Sequence, residues 1–113
     1  MDIDGLRKMI DTPRDNAMLR LSLGRLLIGA GELEEAETHL AQATRMNPEY
    51  AAAWKELGRA RQQADDETGA AEAWRQGIEA ARSNGDKQAE KEMTVFLRRI
   101  LKNRNPRPPP AGP

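Results

Sequence analysis

The sequence predicts an all-α fold: a short solenoid of two helix-turn-helix repeats, with a half-repeat helix before them and a capping helix after. Three observations carry this. The chain aligns with itself at an offset of 34 residues, placing Leu23-Gly24 on Leu57-Gly58, Arg25 on Arg59, Ala36 on Ala70, Leu40 on Trp74 and Ala43 on Gly77. Both flanks of the repeated region carry apolar residues at helical spacing. The 113 residues are 38% hydrophobic and contain no Cys, which fits one domain held by packing rather than by disulfides.

The elements follow in order. Ile3, Leu6, Met9 and Ile10 form a helical stripe over 2–11. Stepping back 34 from Leu40 lands on Leu6, and from Ala43 on Met9, so this helix is of the second, or B, type. Pro13 lies one short of the position at which a repeat would close. The first full repeat spans about 17–50. Ala30-Gly31-Glu32 makes its turn; Gly31 supplies the left-handed conformation, and Glu32 and Glu34 suit the next helix N-terminus. Pro48 closes it. The second repeat spans about 51–84. Asp65 replaces the turn glycine and tolerates the left-handed region at some cost. No Pro ends its second helix, which is expected to run to Ser83-Asn84 and stop at Gly85. Gly85-Asp86 then gives a helix stop and a fresh N-cap. Ala89, Met93, Phe96, Leu97, Ile100 and Leu101 make an amphipathic helix over 86–102, with Lys87, Lys91, Arg98 and Lys102 outward, as a solenoid cap requires. Residues 1–102 thus form the domain. Residues 103–113 hold five prolines and are expected to be a mobile polyproline-like tail, with PxxP spacings a partner could read.

Trp54, Leu57 and Gly58, the closing Pro48 and the small residues Ala36 and Ala70 together resemble the tetratricopeptide repeat (TPR) over about residues 17–84. Repeat 2 departs from that pattern at Arg61, where Tyr is usual. The run Gly85 to Met93 with Val95 to Arg99 is also similar to the C-terminal signature of small stand-alone bacterial TPR proteins, a group without a firmly assigned activity. The resemblance implies antiparallel A and B helices. The small residues at Gly24, Ala36, Gly58 and Ala70 would let the helix axes approach closely, and Leu23, Leu40, Trp54, Leu57 and Trp74 would fill the core.

Chemistry is thinly represented. The one histidine, His39, has Glu35 and Thr38 within a helical turn, but no Ser sits in a nucleophile elbow. One His and no Cys exclude the usual zinc sets. The Glu32–Glu37 and Asp65–Glu67 clusters lie at helix starts and lack calcium-loop spacing. Gly24 to Ala30 has the glycine spacing of a phosphate loop without its Lys-Ser/Thr, and inside a helix. The expectation is a non-enzyme with no cofactor and no metal. The acidic opening Met1-Asp2-Ile3-Asp4 is not that of a secretory signal, and no apolar run approaches a membrane span of roughly 18 residues, so a cytoplasmic protein is expected. Net charge is zero, but residues 98–113 hold five bases and no acid. This basic segment reads chiefly as helix-terminal cations offsetting the macrodipole; nucleic-acid or membrane-surface contact is a minor alternative.

The resemblance implies a concave groove, lined by A helices, that takes a peptide or a partner helix. By repeat position the first A helix offers Met18, Leu21, Arg25 and Ile28, the second Ala52, Lys55, Arg59 and Gln62. The capping helix, set one residue late, offers Lys87, Glu90, Lys91 and Thr94. Arg25 and Arg59 occupy equal positions one repeat apart and repel, so a bound carboxylate or acidic peptide would relieve them, unless Glu56 or other acids already do so. Met18, Leu21 and Ile28 are expected as an apolar pocket beside them. Lys55, Lys87 and Lys91 resemble parts of the clamp that holds the terminal Asp of chaperones. Leu21 and Glu56 stand where that clamp has Lys and Asn, so its specificity is not implied. Trp54 and Trp74 read as core. The expected function is therefore a protein-interaction adaptor. A self-associating structural module is the alternative, because two full repeats fall short of the usual minimum of about three.

Overall fold

The structure, a computed structural model, describes residues 2–104. Within them the chain forms six helices and no strands: α1 (Ile3–Arg7), α2 (Ala17–Gly29), α3 (Leu33–Met46), α4 (Ala51–Gln63), α5 (Glu67–Ser83) and α6 (Lys87–Arg104). Helix α6 runs on through Asn103 and Arg104, where the tail was expected to begin; the rest of that proline-rich tail, 105–113, lies outside the described residues.

Three of the longer helices start on a side-chain cap. Asn16 accepts the Leu19 N–H at 2.7 Å to start α2, Asp66 accepts the Gly69 N–H at 2.9 Å to start α5, and Asp86 accepts the Ala89 N–H at 3.0 Å to start α6. Three turns share one closure. Gly31, Asp65 and Gly85 sit at φ 79°, 64° and 69°. The next N–H in each case, from Glu32, Asp66 and Asp86, reaches back to the carbonyl of Leu27, Arg61 and Ala81 at 2.9, 2.8 and 2.8 Å. The second helix of repeat 2 runs to Ser83, as the missing proline implied.

Helix α1 is shorter than the stripe over 2–11 suggested. After Arg7 the chain tightens: Met9 and Ile10 donate to carbonyls only three residues back, at 3.0 and 3.2 Å. Asp11 then takes φ 62°, its N–H held by the Asp15 carboxylate at 2.9 Å. Pro13 cannot continue a helix.

The helices stack in chain order into an elongated body of 65 × 31 × 19 Å. α2 pairs with α3 and α4 with α5 inside the repeats. α3 meets α4 and α5 meets α6 between them, and α2, α4 and α6 form a row. Small residues set the spacing. A β-carbon at Gly24 would collide with Leu40, and one at Gly58 with the indole of Trp74. Two apolar clusters result, one around Leu23, Leu27, Leu40 and Leu57, the other around Trp74, Ala81 and Met93. Each fully buried Leu or Met among them contributes roughly 1.5–3 kcal/mol. Trp74 is fully buried, its indole N–H donating to the Lys55 carbonyl at 3.1 Å and its ring 5.2 Å from that of Phe96. Trp54 is partly buried and donates to the Pro48 carbonyl at 2.8 Å. Both tryptophans therefore belong to the packing.

Candidate functional site

The row of α2, α4 and α6 brings Arg25, Glu56 and Arg59 together. Glu56 is buried, with its side chain only 5% exposed. Arg59 Nη1 donates to both of its carboxylate oxygens at 3.3 Å, and Arg25 Nε lies 3.8 Å from one of them. The two guanidiniums are 51% and 47% exposed, so one buried monoanion faces two half-exposed cations. The repulsion anticipated between Arg25 and Arg59 is thus partly met from inside. The excess is one positive charge, and Arg donors remain turned to solvent. Lys55, one turn earlier on α4, forms an ion pair with Glu92 of α6 at 3.6 Å. Gln62 is exposed at the far end of α4.

Several expected groove residues fall elsewhere. Leu21 and Ile28 are 3% and 8% exposed and cannot line an open pocket. They belong to the apolar cluster with Leu57 and Ala60, against which Ala52 and Trp54 pack. The reason is the small residues of α4: with little bulk on that helix, aliphatic side chains on α2 sink between the two helices instead of standing above them. The open apolar surface lies one face further round α2. Leu6, Asn16, Met18, Leu19, Ser22, Arg25 and Leu26 line a depression of about 510 Å³, with Met18 67% exposed. Met18 is the one member of the expected apolar trio that it contains.

Lys87 and Lys91 do not join the cationic cluster either. They line a shallow hollow along α6 with Glu90, Thr94, Val95 and Arg98. Glu90 turns to Arg82 of α5 at 2.9 Å, and the α6 residue that reaches Lys55 of α4 is Glu92. The one-residue-late register assumed for this helix is therefore wrong for its contact with α4. The B-to-A connection before it differs from the first one: α5 has 17 residues where α3 has 14, and Asn84 ties its end to the Glu49 carbonyl at 2.6 Å.

A second polar cluster was anticipated only in the nearness of Glu35 to His39. Arg20 is buried, and its Nε and Nη2 grip Asp15 at 2.9 and 2.7 Å. Its Nη1 lies 3.1 Å from His39 Nδ1, and His39 Nε2 lies 3.3 Å from Glu35. Arginine can only donate, so Nδ1 accepts and Nε2 carries the proton toward Glu35. Arg7 of α1 completes the chain with a two-pronged grip on Glu35, one arm at 2.9 Å and the other at 2.6 Å. The Arg20 guanidinium holds the Asp15 carboxyl below its ordinary range, and Arg7 does the same for Glu35; burial opposes both. One signal was present: Arg20 stands 34 residues before Trp54, at a core position of its repeat. Arg61, the other departure, bridges Glu37 at 2.9 Å and the Gly69 carbonyl at 3.1 Å. Both clusters staple helices. Among the described residues no group of three or more His, Asp or Glu could hold a metal ion. None of the described helices is long and apolar enough to cross a membrane.

Comparison with known proteins agrees with this architecture. The family model for the tetratricopeptide repeat matches residues 17–60. A TPR repeat-containing protein of Pseudomonas aeruginosa is 52% identical over 100 residues, covering 88% of this chain and 95% of its own. A Heat-shock protein cognate co-chaperone of Aspergillus fumigatus is 36% identical over 81 residues, 71% of this chain but 24% of that protein. Among solved structures, a protein from Bordetella parapertussis aligns with TM-score 0.78 and 37% identity, covering 93% of this chain and 91% of the other. The TPR domain of Sgt2 from Aspergillus fumigatus aligns with TM-score 0.78 and 30% identity, covering 98% and 74%. Fold and relatives together support a protein–protein interaction module, a class that is generally non-enzymatic. With these repeats, this helix order and this identity over nearly its whole length, the chain belongs to the tetratricopeptide repeat family.

Proposed function

We propose that this protein is a non-enzymatic adaptor that binds an acidic segment of a partner protein across α2 and α4. The observation that carries this reading is the imbalance at Glu56: two half-exposed guanidiniums share one buried carboxylate. A partner carboxylate set between Arg25 and Arg59 would complete the charge balance and accept the remaining donors. Lys55 stands one turn away as a further cation, partly engaged by Glu92. Met18, with Leu26 beside it, supplies apolar contact next to Arg25. The likeness to a co-chaperone supports a protein partner. Its particular partner is not carried over, because Leu21 and Glu56 differ in chemistry from the Lys and Asn of the chaperone clamp.

The test is capture of partners from a lysate of the source cell by wild type and by an Arg25→Glu/Arg59→Glu variant of unchanged helical circular dichroism. A protein held by wild type and lost by the variant is expected. Identical capture by both would remove the site.

A further inference from the structure

Two successive B-to-A connections are latched together at one edge of the solenoid. The side-chain amide of Asn84, at the end of α5, donates to the Glu49 carbonyl in the α3–α4 connection at 2.6 Å, across 35 positions of sequence. Glu49, Tyr50, Asn84 and Asp86 line a hollow of about 330 Å³ beside this bond.

Asn84 also has a reactive neighbour. Of the five asparagines in the chain, it alone precedes a glycine. With no β-carbon beside it, the Gly85 nitrogen can reach the side chain before it. Once that nitrogen loses its proton, it can attack Asn84 Cγ. The Gly85 N–Cγ bond forms, the Cγ–Nδ2 bond breaks, and ammonia leaves. Water then opens the five-membered succinimide at one of its two carbonyls. One opening gives aspartate. The other gives isoaspartate, in which the main chain runs through Cγ. Water is the only co-reactant, and nothing is oxidised or reduced.

The closed turn withholds this reaction in three ways. Ring closure needs the Gly85 nitrogen eclipsed with Asn84 Cβ, but at ψ −5° it is eclipsed with the nitrogen of Asn84 itself. The Gly85 N–H is engaged by the Arg82 carbonyl at 3.1 Å. The carboxamide is held by Glu49. All three restraints belong to one turn, and residues 83–88 are exposed throughout. Such a turn opens locally, without unfolding the core.

We infer that Asn84 is a site of spontaneous deamidation: the chain modifies itself there from the opened α5–α6 turn, and the product can no longer latch the two connections. Aspartate has no N–H to give the Glu49 carbonyl and sets a carboxylate against it. The hollow then holds three carboxylates, those of Glu49, Asp86 and residue 84. The new charge also sits at the C-terminal end of α5, where the macrodipole disfavours an anion. Isoaspartate further lengthens the main chain by a carbon, inside the turn that leads into α6. The modified turn opens more readily than the original, and the change does not reverse. None of this requires an anion at Arg25 and Arg59.

The test incubates the full chain at mildly alkaline pH and follows its intact mass, with peptide mapping at acid pH to place the change. Wild type, folded and in guanidinium chloride, is run beside Asn84→Gln, whose longer side chain closes a ring far more slowly. Folded wild type is expected to gain the mass of amide-to-acid conversion at Asn84. The gain should be about tenfold or more slower than in the unfolded chain, because only the opened turn reacts. Asn84→Gln should gain nothing at that position. The modified protein, separated by ion exchange, should melt roughly 5 °C below the unmodified one, as should Asn84→Asp. A folded chain that gains no mass at Asn84 while the unfolded chain converts fully overturns the site. Equal rates in the folded and unfolded chains overturn the control by the turn. A modified protein that melts with the unmodified one overturns the latch.

Discussion

Replacing Gly58 by Ala should destabilise the protein, although alanine is the better helix former. The gain in helix propensity is about 1 kcal/mol. Against it stands a collision: the new β-carbon would meet Nε1, Cδ1 and Cε2 of Trp74, the stiff body of the ring rather than a flexible tip. The ring has nowhere to go, being fully buried and stacked at a tilt on Phe96. Overpacking of this kind costs about 1–3 kcal/mol. Displacing the indole also threatens its hydrogen bond to Lys55, worth about 1 kcal/mol. The net expectation is a loss of about 2 kcal/mol. For a domain of this size that lowers the melting temperature by roughly 10 °C. The assay is thermal and urea unfolding followed by circular dichroism, with tryptophan emission reporting whether the indole has shifted. Gly29→Ala is the internal control. Nothing lies within 4 Å of a β-carbon there, so the same substitution should stabilise by about 0.5–1 kcal/mol. A Gly58→Ala variant melting at or above wild type would refute the close-approach argument.

Other expectations concern the polar clusters and turns. Arg20→Ala leaves Asp15 largely buried without its cation and should cost about 3–5 kcal/mol in urea unfolding, far more than Arg82→Ala at an exposed pair. Asp15 has a folded-state pKa below its ordinary 3.8, so its contribution is complete above that value and is lost as pH falls through the depressed one. Wild type should therefore lose stability steeply below about pH 4, and Asp15→Asn should flatten that acid limb while starting from lower stability at neutral pH. Asp65→Gly should raise stability by about 0.5 kcal/mol, because the residue sits at φ 64° and glycine adopts that region without strain. An unchanged or lower unfolding midpoint would show that Asp65 makes a compensating contact.

The repeat was legible because its signals are local. A period of 34, a turn glycine and a row of small residues fix α2 to α5 without reference to anything distant. The places where reading failed are those decided by a neighbour's bulk. Leu21 and Ile28 occupy groove positions, yet the slender α4 lets them sink into the core. On α6 the repeat arithmetic ran past a connection of different length, and the predicted facing residues moved off the row. Arg20 was missed because a charged residue at a core position makes sense only once Asp15, delivered by the loop before it, is seen to cover it. At the site, the cations were readable, and pairing with Glu56 or other acids stood as the alternative to a bound carboxylate. How much of their charge it leaves unanswered required the distances.

The linear order of contacts has a kinetic consequence. Among the described residues, no helix touches another more than two places along the chain. Every stabilising pairing therefore closes a short loop, the topology that folds fastest for its size. Damage at one end should also stay at that end. Substitutions in α1 and α6, which share no neighbour closer than the α2–α4 contact, should change the unfolding free energy independently, their effects summing to within a few tenths of a kcal/mol. The molecule can thus vary its two termini separately, altering what each end meets while the central pair of repeats holds its shape.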